Sequence, residues 1–220
     1  MSYYPSYKEQ FKNLTNDQKK ILEKIPHLEE IDGWLLLVEA IELFSLASHL
    51  ASPKPIICEI GTWKGKSAYV FATAFLKKEG LLYCIDPFNG DGDIPSRKSY
   101  KEAIQKLDGS LRELFEMTMK KYHLLNKIRL LPMRSKDARP LFPQKRIDIL
   151  FIDGNHEYES VKMDYDLWSP LIPSDGKIVL HDVGASHVDG PRRIMEKYIF
   201  NNSIWKDAHI VGEMGIATKT

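Results

Sequence analysis

The chain has 220 residues, 43% of which are hydrophobic, and it carries 31 lysines and arginines against 30 aspartates and glutamates. This length fits a single α/β domain with a short extension, and the apolar content is sufficient for a buried core. The formal net charge of +1 provides no basic surface of the kind that binds nucleic acids or anionic membranes. We therefore expect neither a nucleic-acid partner nor a membrane.

The cysteines and the N-terminal residues predict a cytoplasmic protein. Cys58 and Cys84 lie in separate apolar runs and form no C-x-x-C pair, which predicts buried free thiols in a reducing compartment. The first ten residues lack the order of a signal peptide, a basic patch followed by an apolar stretch. Residues 34–50 are apolar, but they contain two glutamates and are too short to cross a hydrocarbon core of about 30 Å.

The N-terminal part of the chain has helical patterns. Thr15 followed three residues later by Gln18 is a capping box, and the apolar stripe after it ends at Pro26. A second helix is predicted to begin at Asp32 and to continue to Leu50. These helices would cover the rest of the domain or form the contact of a homodimer, and plain packing is the simpler interpretation.

From Pro55 onward the chain alternates apolar runs with helical patterns, which predicts a parallel sheet with helices on both faces. The tail differs, because its two apolar runs are too close together to hold a crossover helix, and an antiparallel hairpin is expected there. The predicted strands are 56–60, 81–85, 128–131, 147–152, 177–180, 203–208 and 212–217. The predicted helices are 67–78, 97–121 with a break at Asp108 and Gly109, 158–168 and 191–200.

A glycine turn follows the first predicted strand, with the pattern E-x-G-x-x-x-G-x-S from Glu59 to Ser67. Glycine tolerates positive φ and lets a ligand approach bare backbone, so Gly61 and Gly65 are suited to a turn around a nucleoside. A dinucleotide fold requires G-x-G-x-x-G and a P-loop requires G-x-x-x-x-G-K-[ST]. Neither spacing is present, and the loop is too short to wrap a phosphate. A tight turn without a ligand is the alternative interpretation.

The fourth predicted strand leads into the motif I-D-G-x-H-x-Y-x-x-V-x-x-D-x-x-x-W, which runs from Ile152 to Trp168. Asp153 would lie at the end of the strand with His156 at loop distance, so that a carboxylate and an imidazole face one pocket. Imidazole titrates near neutral pH, which makes His156 the candidate general base, together with Asp153 as a catalytic residue. In the alternative interpretation, His156 only braces the helix that begins at Tyr158.

These motifs resemble those of class I S-adenosylmethionine-dependent O-methyltransferases, in particular the family of the macrocin O-methyltransferases and the cephalosporin hydroxylase-like proteins. The resemblance extends from about Trp34 to the C-terminus and is most specific over 58–87 and 147–183. It implies an α/β fold with a Rossmann-like, doubly wound, mostly parallel seven-stranded sheet and a C-terminal antiparallel strand. Residues 51–220 would form the cofactor-binding domain and residues 1–50 an N-terminal helical extension.

The resemblance also implies the residues that bind S-adenosylmethionine. Glu59 would support the methionine end, the turn would present its backbone to the amino acid portion, and Gly65 would give clearance. Asp86, at the end of the second strand, would accept both ribose hydroxyls, unless it is a helix cap or part of a surface turn. Ser135 would contact adenine or cap a helix. The full predicted set is Glu59, Gly61, Thr62, Gly65, Ser67, Asp86, Pro87, Ser135 and Asp153.

A divalent cation is a further expectation, because Asp153 and Asp182 follow neighbouring strands and could share a hard ion that lowers the pKa of the substrate hydroxyl. Magnesium is the usual ion in this use. Here His181 precedes Asp182, where many metal-dependent relatives have acidic or amide residues. Imidazole suits zinc, iron or manganese better than magnesium. The predicted metal ligands are Asp153, Asp182 and His181.

The predicted function is transfer of a methyl group from S-adenosylmethionine to a hydroxyl of a small molecule, such as a sugar or a secondary metabolite. Residues 88–97 and 184–193 would form the loops that contact this acceptor. Three alternatives remain: a nicotinamide-dependent oxidoreductase, which would lack the third glycine of its fingerprint; a cofactor-binding protein without catalysis; and, least supported, an iron hydroxylase involving His181.

Overall fold

A computed structural model describes residues 5–93, 97–107 and 109–220. Seven strands form one sheet with the order β3-β2-β1-β4-β5-β7-β6. The first five strands are parallel, and β7 is antiparallel to both β5 and β6. The sheet confirms the predicted fold class. The strands are Ile56–Ile60 (β1), Leu81–Ile85 (β2), Ile128–Leu131 (β3), Ile149–Ile152 (β4), Lys177–Leu180 (β5), Trp205–Val211 (β6) and Met214–Lys219 (β7).

The central strands are continuous apolar runs because both faces of the sheet are buried. In the register of β1 with β4, Ile57 lies opposite Ile149 and Cys58 opposite Leu150. Successive residues point to opposite faces, so the first pair joins one core and the second pair joins the other. Cys58 is a buried free thiol, as predicted. This arrangement directs the carboxyl ends of five parallel strands to one edge of the sheet.

The helices divide between the two faces. One core contains side chains of α2, α3, α4 and α6, and the other contains side chains of α7, α8 and α9. The helices are Tyr7–Lys12 (α1), Asn16–Leu22 (α2), Leu37–Ser48 (α3), Lys66–Ala74 (α4), Arg97–Gln105 (α5), Leu111–Lys121 (α6), Ser135–Ala138 (α7), Tyr158–Trp168 (α8) and Gly190–Ile194 (α9), which continues as a π-helix, Met195–Phe200.

The structure corrects several predicted boundaries. The second N-terminal helix starts at Leu37 rather than Asp32, because the Glu39 carboxylate accepts the Leu36 amide at 2.7 Å and so caps the helix there. The hairpin strands lie about two residues later than predicted, because Gly212, with φ +61, belongs to the turn between them. Strand β4 starts two residues later than predicted, and α1 was not predicted. The break in the predicted helix 97–121 is confirmed between α5 and α6; Asp108 lies outside the described residues.

The N-terminal helices pack on the same core as the sheet. The buried face of α3 includes Ala40, Leu43 and Phe44, which share a core with Phe71 of α4 and Phe151 of β4. In the part of the chain that the structure describes, no helix combines the length and the hydrophobicity needed to cross a bilayer. The homodimer contact through these helices stays a prediction.

A close approach of two backbones fixes the glycine turn after β1. Gly61 has φ +87, and a Cβ there would lie 2.0 Å from the carbonyl oxygen of Asp153. Only a residue without Cβ allows the ends of β1 and β4 to meet in this way.

We expect Gly61→Ala to lower the free energy of unfolding by roughly 2–4 kcal/mol, from left-handed backbone strain and steric overlap together. Urea unfolding measures this change. Gly154→Ala is the matched control, because its Cβ would meet no atom closer than 3.5 Å and the backbone there is not left-handed. Equal loss of stability in the two variants would contradict the steric explanation.

Candidate functional site

A cavity of about 900 Å³ opens at the carboxyl ends of β1, β2, β4 and β5. Open α/β sheets bind ligands at this edge, and the volume lies in the usual range for small-molecule sites. Glu59, Gly65 and His156 are not part of the wall. The predicted site residues that line the cavity are Gly61, Thr62, Ser67, Asp86, Pro87, Ser135, Asp153, His181 and Asp182.

Asp86 anchors the glycine turn. Its carboxylate accepts the backbone amides of Thr62 at 2.9 Å, Trp63 at 2.8 Å and Phe88 at 2.6 Å. Burial raises the pKa of Asp86, and these three hydrogen bonds offset only part of that effect. A carboxylate offers about four acceptor positions, so most of this capacity is already used within the protein. Asp86 therefore stabilises a turn, which is the alternative role given above. Ribose binding by the same carboxylate stays a prediction.

Glu59 lies behind the wall of the cavity and is fully buried. Its carboxylate accepts hydrogen bonds from the hydroxyls of Thr62 at 3.0 Å and Ser67 at 2.5 Å. Burial raises the pKa of Glu59 to about 7, although both hydroxyls favour the ionised form. Glu59 therefore holds the first turn of α4 in place.

Gly65 faces the protein interior rather than the cavity. A Cβ at this position would lie 2.7 Å from Phe115 and 2.8 Å from Met119 of α6. The predicted clearance for a cofactor is corrected accordingly, because the space beside Gly65 is needed for helix packing. Its φ of +88 is a second reason for glycine.

Ser135 does not act as the predicted helix cap. Arg134 occupies the N-cap position of α7, and the Ser135 hydroxyl donates to the Asp164 carboxylate of α8. Burial raises the pKa of Asp164 to about 6, against the effect of this hydrogen bond. Both side chains line the cavity, so Asp164 joins the candidate site and the adenine contact of Ser135 stays a prediction.

Two carboxylates and two imidazoles cluster where β4 and β5 end. Nδ1 of His181 lies 3.1 Å from Asp153 Oδ1 and 3.4 Å from Asp182 Oδ2, and ligand atoms of these three residues all lie within 4.8 Å of one another. Nε2 of His156 lies 2.9 Å from Asp182 Oδ2 and 3.7 Å from Asp153 Oδ1. The structure thus brings the predicted catalytic and metal-binding residues together.

The two imidazole nitrogens that face the cluster have close carboxylate neighbours but poor hydrogen-bond alignment. His156 Nε2 and His181 Nδ1 are buried, and neither has a hydrogen-bond partner of acceptable geometry among the described residues. Burial lowers the pKa of both imidazoles, but the surrounding carboxylates outweigh burial and hold the pKa of each well above its usual range. A site that binds a cation places its ligand atoms close together without aligning them for hydrogen bonds to one another. The donor set of Asp153, Asp182 and His181 therefore fits a divalent ion.

Sequence reasoning did not identify Asp93, which orients His156. Asp93 Oδ2 lies 2.6 Å from Nδ1 of His156, and both side chains are buried. The raised pKa of His156 keeps a proton on both ring nitrogens, so that Nδ1 donates to Asp93 and the Nε2 proton faces the cluster. Asp93 is in a glycine-rich loop after β2, and its only sequence signal is an acidic residue within a predicted substrate loop.

Glu39 was also missed, because it lies on α3 far from the motifs. Its carboxylate is fully buried and lies 3.3 Å from Nε2 of His181. It also accepts the backbone amides of Leu36 and Glu213, each at 2.7 Å. The only signal in the sequence is a glutamate in the most apolar helix of the chain.

An aromatic wall, formed by Trp34, Trp63 and Tyr100, flanks the cavity. The ring centroids of Trp34 and Trp63 are 5.5 Å apart, and Tyr100 lies 4.9 Å from Trp63. The late start of α3 leaves Trp34 outside the helix, where 40% of its surface is exposed. Of the predicted substrate loops, residues 89–92, Arg97, Ser186 and His187 line the cavity; residues 94–96 lie outside the described residues.

The raised pKa of Glu59 predicts a pH-dependent stability. The carboxyl ionises near 4.5 in an unfolded chain and at about 7 in the folded protein, so its contribution to the free energy of unfolding falls as pH rises between these values. Relative to Glu59→Gln, the free energy of unfolding of wild type should fall by roughly 3 kcal/mol between about pH 4 and pH 8. Urea unfolding at several pH values measures this difference. The exposed Glu159→Gln should follow wild type, and a parallel profile for Glu59→Gln would contradict the prediction.

Comparisons with known proteins agree with this architecture. The family model described as a methyltransferase domain matches residues 58–183. The O-methyltransferase NovP has a TM-score of 0.65 and 18% identity, over 84% of this chain and 80% of that one. TomG from Streptomyces achromogenes is an O-methyltransferase solved with S-adenosylmethionine. It has a TM-score of 0.62 and 16% identity, over 94% of this chain and 91% of that one.

A Bacillus cereus O-methyltransferase solved with S-adenosylhomocysteine has a TM-score of 0.60 and 15% identity, over 94% of this chain and 92% of that one. At these identities the structural similarity establishes the fold, whereas the family match covers more than half of the chain. The chain therefore belongs to the methyltransferase domain family, on the fold of the class I S-adenosylmethionine-dependent enzymes.

Proposed function

We propose that this protein is an S-adenosylmethionine-dependent O-methyltransferase that methylates a hydroxyl of a ring-bearing small molecule with the help of a divalent cation. The observation that carries the proposal is the cluster at the ends of β4 and β5, where Asp153, Asp182 and His181 lie on the wall of a large cavity. The names of the structural neighbours agree with transfer to oxygen. The family match favours methyl transfer over the nicotinamide alternative.

The residues available to hold the methyl donor line the cavity. Asp86 and Pro87 would lie beside the ribose, the turn at Gly61 and Thr62 beside the amino acid portion, and Ser135 with Asp164 beside the base. When bound, S-adenosylmethionine supplies an activated methyl group for direct displacement by the acceptor oxygen. The protein contributes mainly by positioning the two reactants.

The acceptor proton would leave through the carboxylate and imidazole cluster. Asp153 reaches the cavity with 22% of its side chain exposed, whereas His156 is 5% exposed and lies behind Asp153 and Asp182. In this arrangement His156 does not contact the cavity, so the predicted direct general base is revised. We assign Asp153 as the group that meets the acceptor hydroxyl and His156, oriented by Asp93, as the residue that balances its charge.

Asp153, Asp182 and His181 would hold the cation, since their ligand atoms all lie within 4.8 Å of one another. When bound, the ion lowers the pKa of the acceptor hydroxyl. The three ligands are already held by neighbouring strand ends, so they need little reorganisation to bind it.

The aromatic wall suggests the class of acceptor. Planar or sugar rings stack on tryptophan and tyrosine faces, and Trp34 is sufficiently exposed to receive one. Lys66 on the adjoining wall adds a positive charge, which suits an acceptor that carries an acidic or polar substituent. The acceptor would thus be a ring-bearing hydroxyl compound rather than a macromolecule.

Calorimetric titration with S-adenosylhomocysteine tests the donor site. Wild type should bind it in the micromolar range, and Asp86→Asn should weaken binding at least tenfold, because an amide cannot accept all three backbone hydrogen bonds that shape the turn. Asp207→Asn, an exposed carboxylate on β6 that does not line the cavity, is the control for loss of charge. Absence of binding to wild type would reject the proposed methyl donor.

His156→Gln should lower the rate of methyl transfer by roughly 10²-fold or more, since it removes a positively charged neighbour of Asp153. Transfer of labelled methyl to a panel of phenols, catechols and sugars measures the rate. S-adenosylhomocysteine affinity should stay unchanged, because His156 does not line the cavity. His209→Gln, an exposed histidine on β6, is the control. An unchanged rate in His156→Gln would remove this residue from the mechanism.

A further inference from the structure

We propose that the cation site selects a transition metal such as manganese, iron or zinc over magnesium, because Glu39 holds the His181 ring in the orientation of an imidazole ligand. This inference deepens the proposed function, on which its catalytic meaning rests, by naming the class of ion that serves the same site. It also assigns a role to the N-terminal segment, because Glu39 belongs to α3.

His181 is held from two sides. Its Nε2 lies 3.3 Å from the Glu39 carboxylate, and its Nδ1 lies 3.1 Å from Asp153 and 3.4 Å from Asp182. The ring is only 2% exposed, and within the part of the chain that the structure describes Nδ1 has no hydrogen-bond partner of acceptable geometry. With Nε2 directed at Glu39, Nδ1 is the ring nitrogen that faces the two aspartates, and it would be the ligand of a cation bound there.

Glu39 is a rigid partner. One of its oxygens accepts the Leu36 amide and the other accepts the Glu213 amide, both at 2.7 Å. These two bonds fix the carboxylate between the start of α3 and the turn of the C-terminal hairpin. Gly212 in that turn allows the backbone to approach Glu39 closely, because a Cβ there would lie 2.7 Å from the Glu39 carboxylate. The carboxylate therefore holds the orientation of the His181 ring, as acidic outer partners do for metal-bound histidines.

The ligand chemistry then determines the ion. Magnesium prefers oxygen ligands in a strict octahedron, whereas manganese, iron and zinc accept imidazole together with carboxylate. Asp153, Asp182 and His181 offer two carboxylates and one imidazole. His156 remains outside this set, because Asp93 holds its Nδ1 and its ring does not line the cavity.

The test uses the full chain after removal of metal by a chelator. Calorimetry should give at least about tenfold tighter binding of Mn²⁺ than of Mg²⁺. Pulsed electron paramagnetic resonance of the Mn²⁺-loaded protein should detect coupling to an imidazole nitrogen. His181→Asp should abolish this coupling and reduce the preference for Mn²⁺ over Mg²⁺ by about tenfold, since it restores an all-oxygen donor set.

Glu39→Gln should weaken Mn²⁺ binding by about 10–100-fold. Glu42→Gln, a half-buried carboxylate one turn further along the same helix, is the matched control and should bind Mn²⁺ as wild type does. If Glu39→Gln is poorly folded, the nitrogen coupling in wild type and its loss in His181→Asp decide the question alone.

Equal affinity for the two ions, or no nitrogen coupling in wild type, would overturn the inference. Its failure is distinguishable from failure of the proposed function, because S-adenosylhomocysteine binding is measured separately. Binding of that ligand without a preference for Mn²⁺ rejects only the metal assignment. A Mn²⁺ preference without S-adenosylhomocysteine binding supports the metal site and rejects the methyl donor.

Discussion

Concentrated negative charge at the carboxyl edge of the sheet is the constraint on which the site depends. Asp153 and Asp182 lie at adjacent strand ends, with Asp93 and Glu39 just behind them, and all but Asp153 are buried. Carboxylates in so small a volume repel one another and lose hydration, so they need compensating positive charge. The imidazoles of His156 and His181 supply it within the protein, and the same arrangement is suited to a cation.

A second constraint is steric, and it determines the shape of the cavity. The backbones of β1 and β4 meet at Gly61, so the turn after β1 has one available path, and Asp86 fixes that path through three backbone amides. The turn then leads directly into α4, whose first residues are tied to Glu59. The cavity wall is therefore built from main chain held by buried carboxylates, which is a rigid way to shape a binding site.

The N-terminal segment is part of the site as well as of the core. Its helix α3 starts late because Glu39 caps it, and this leaves Trp34 free to line the cavity while Glu39 itself reaches His181. One carboxylate thus sets a helix boundary, exposes an aromatic face and orients an imidazole. The predicted division into an extension of residues 1–50 and a domain of residues 51–220 follows the order of the chain. It does not separate the residues of the site, because Trp34 and Glu39 belong to the N-terminal segment.

The sequence by itself determined the sheet and the residues at its edge, because apolar periodicity and strand-end chemistry are local properties. It placed Asp153, His181 and Asp182 together, since the carboxyl ends of parallel strands share one edge. Only the tertiary structure brought Glu39 to His181 across 142 residues and Asp93 to His156 across 63. It also placed His156 behind the aspartates and turned Gly65 toward α6. Such contacts depend on how helices and loops pack over the sheet, and no local pattern encodes that packing.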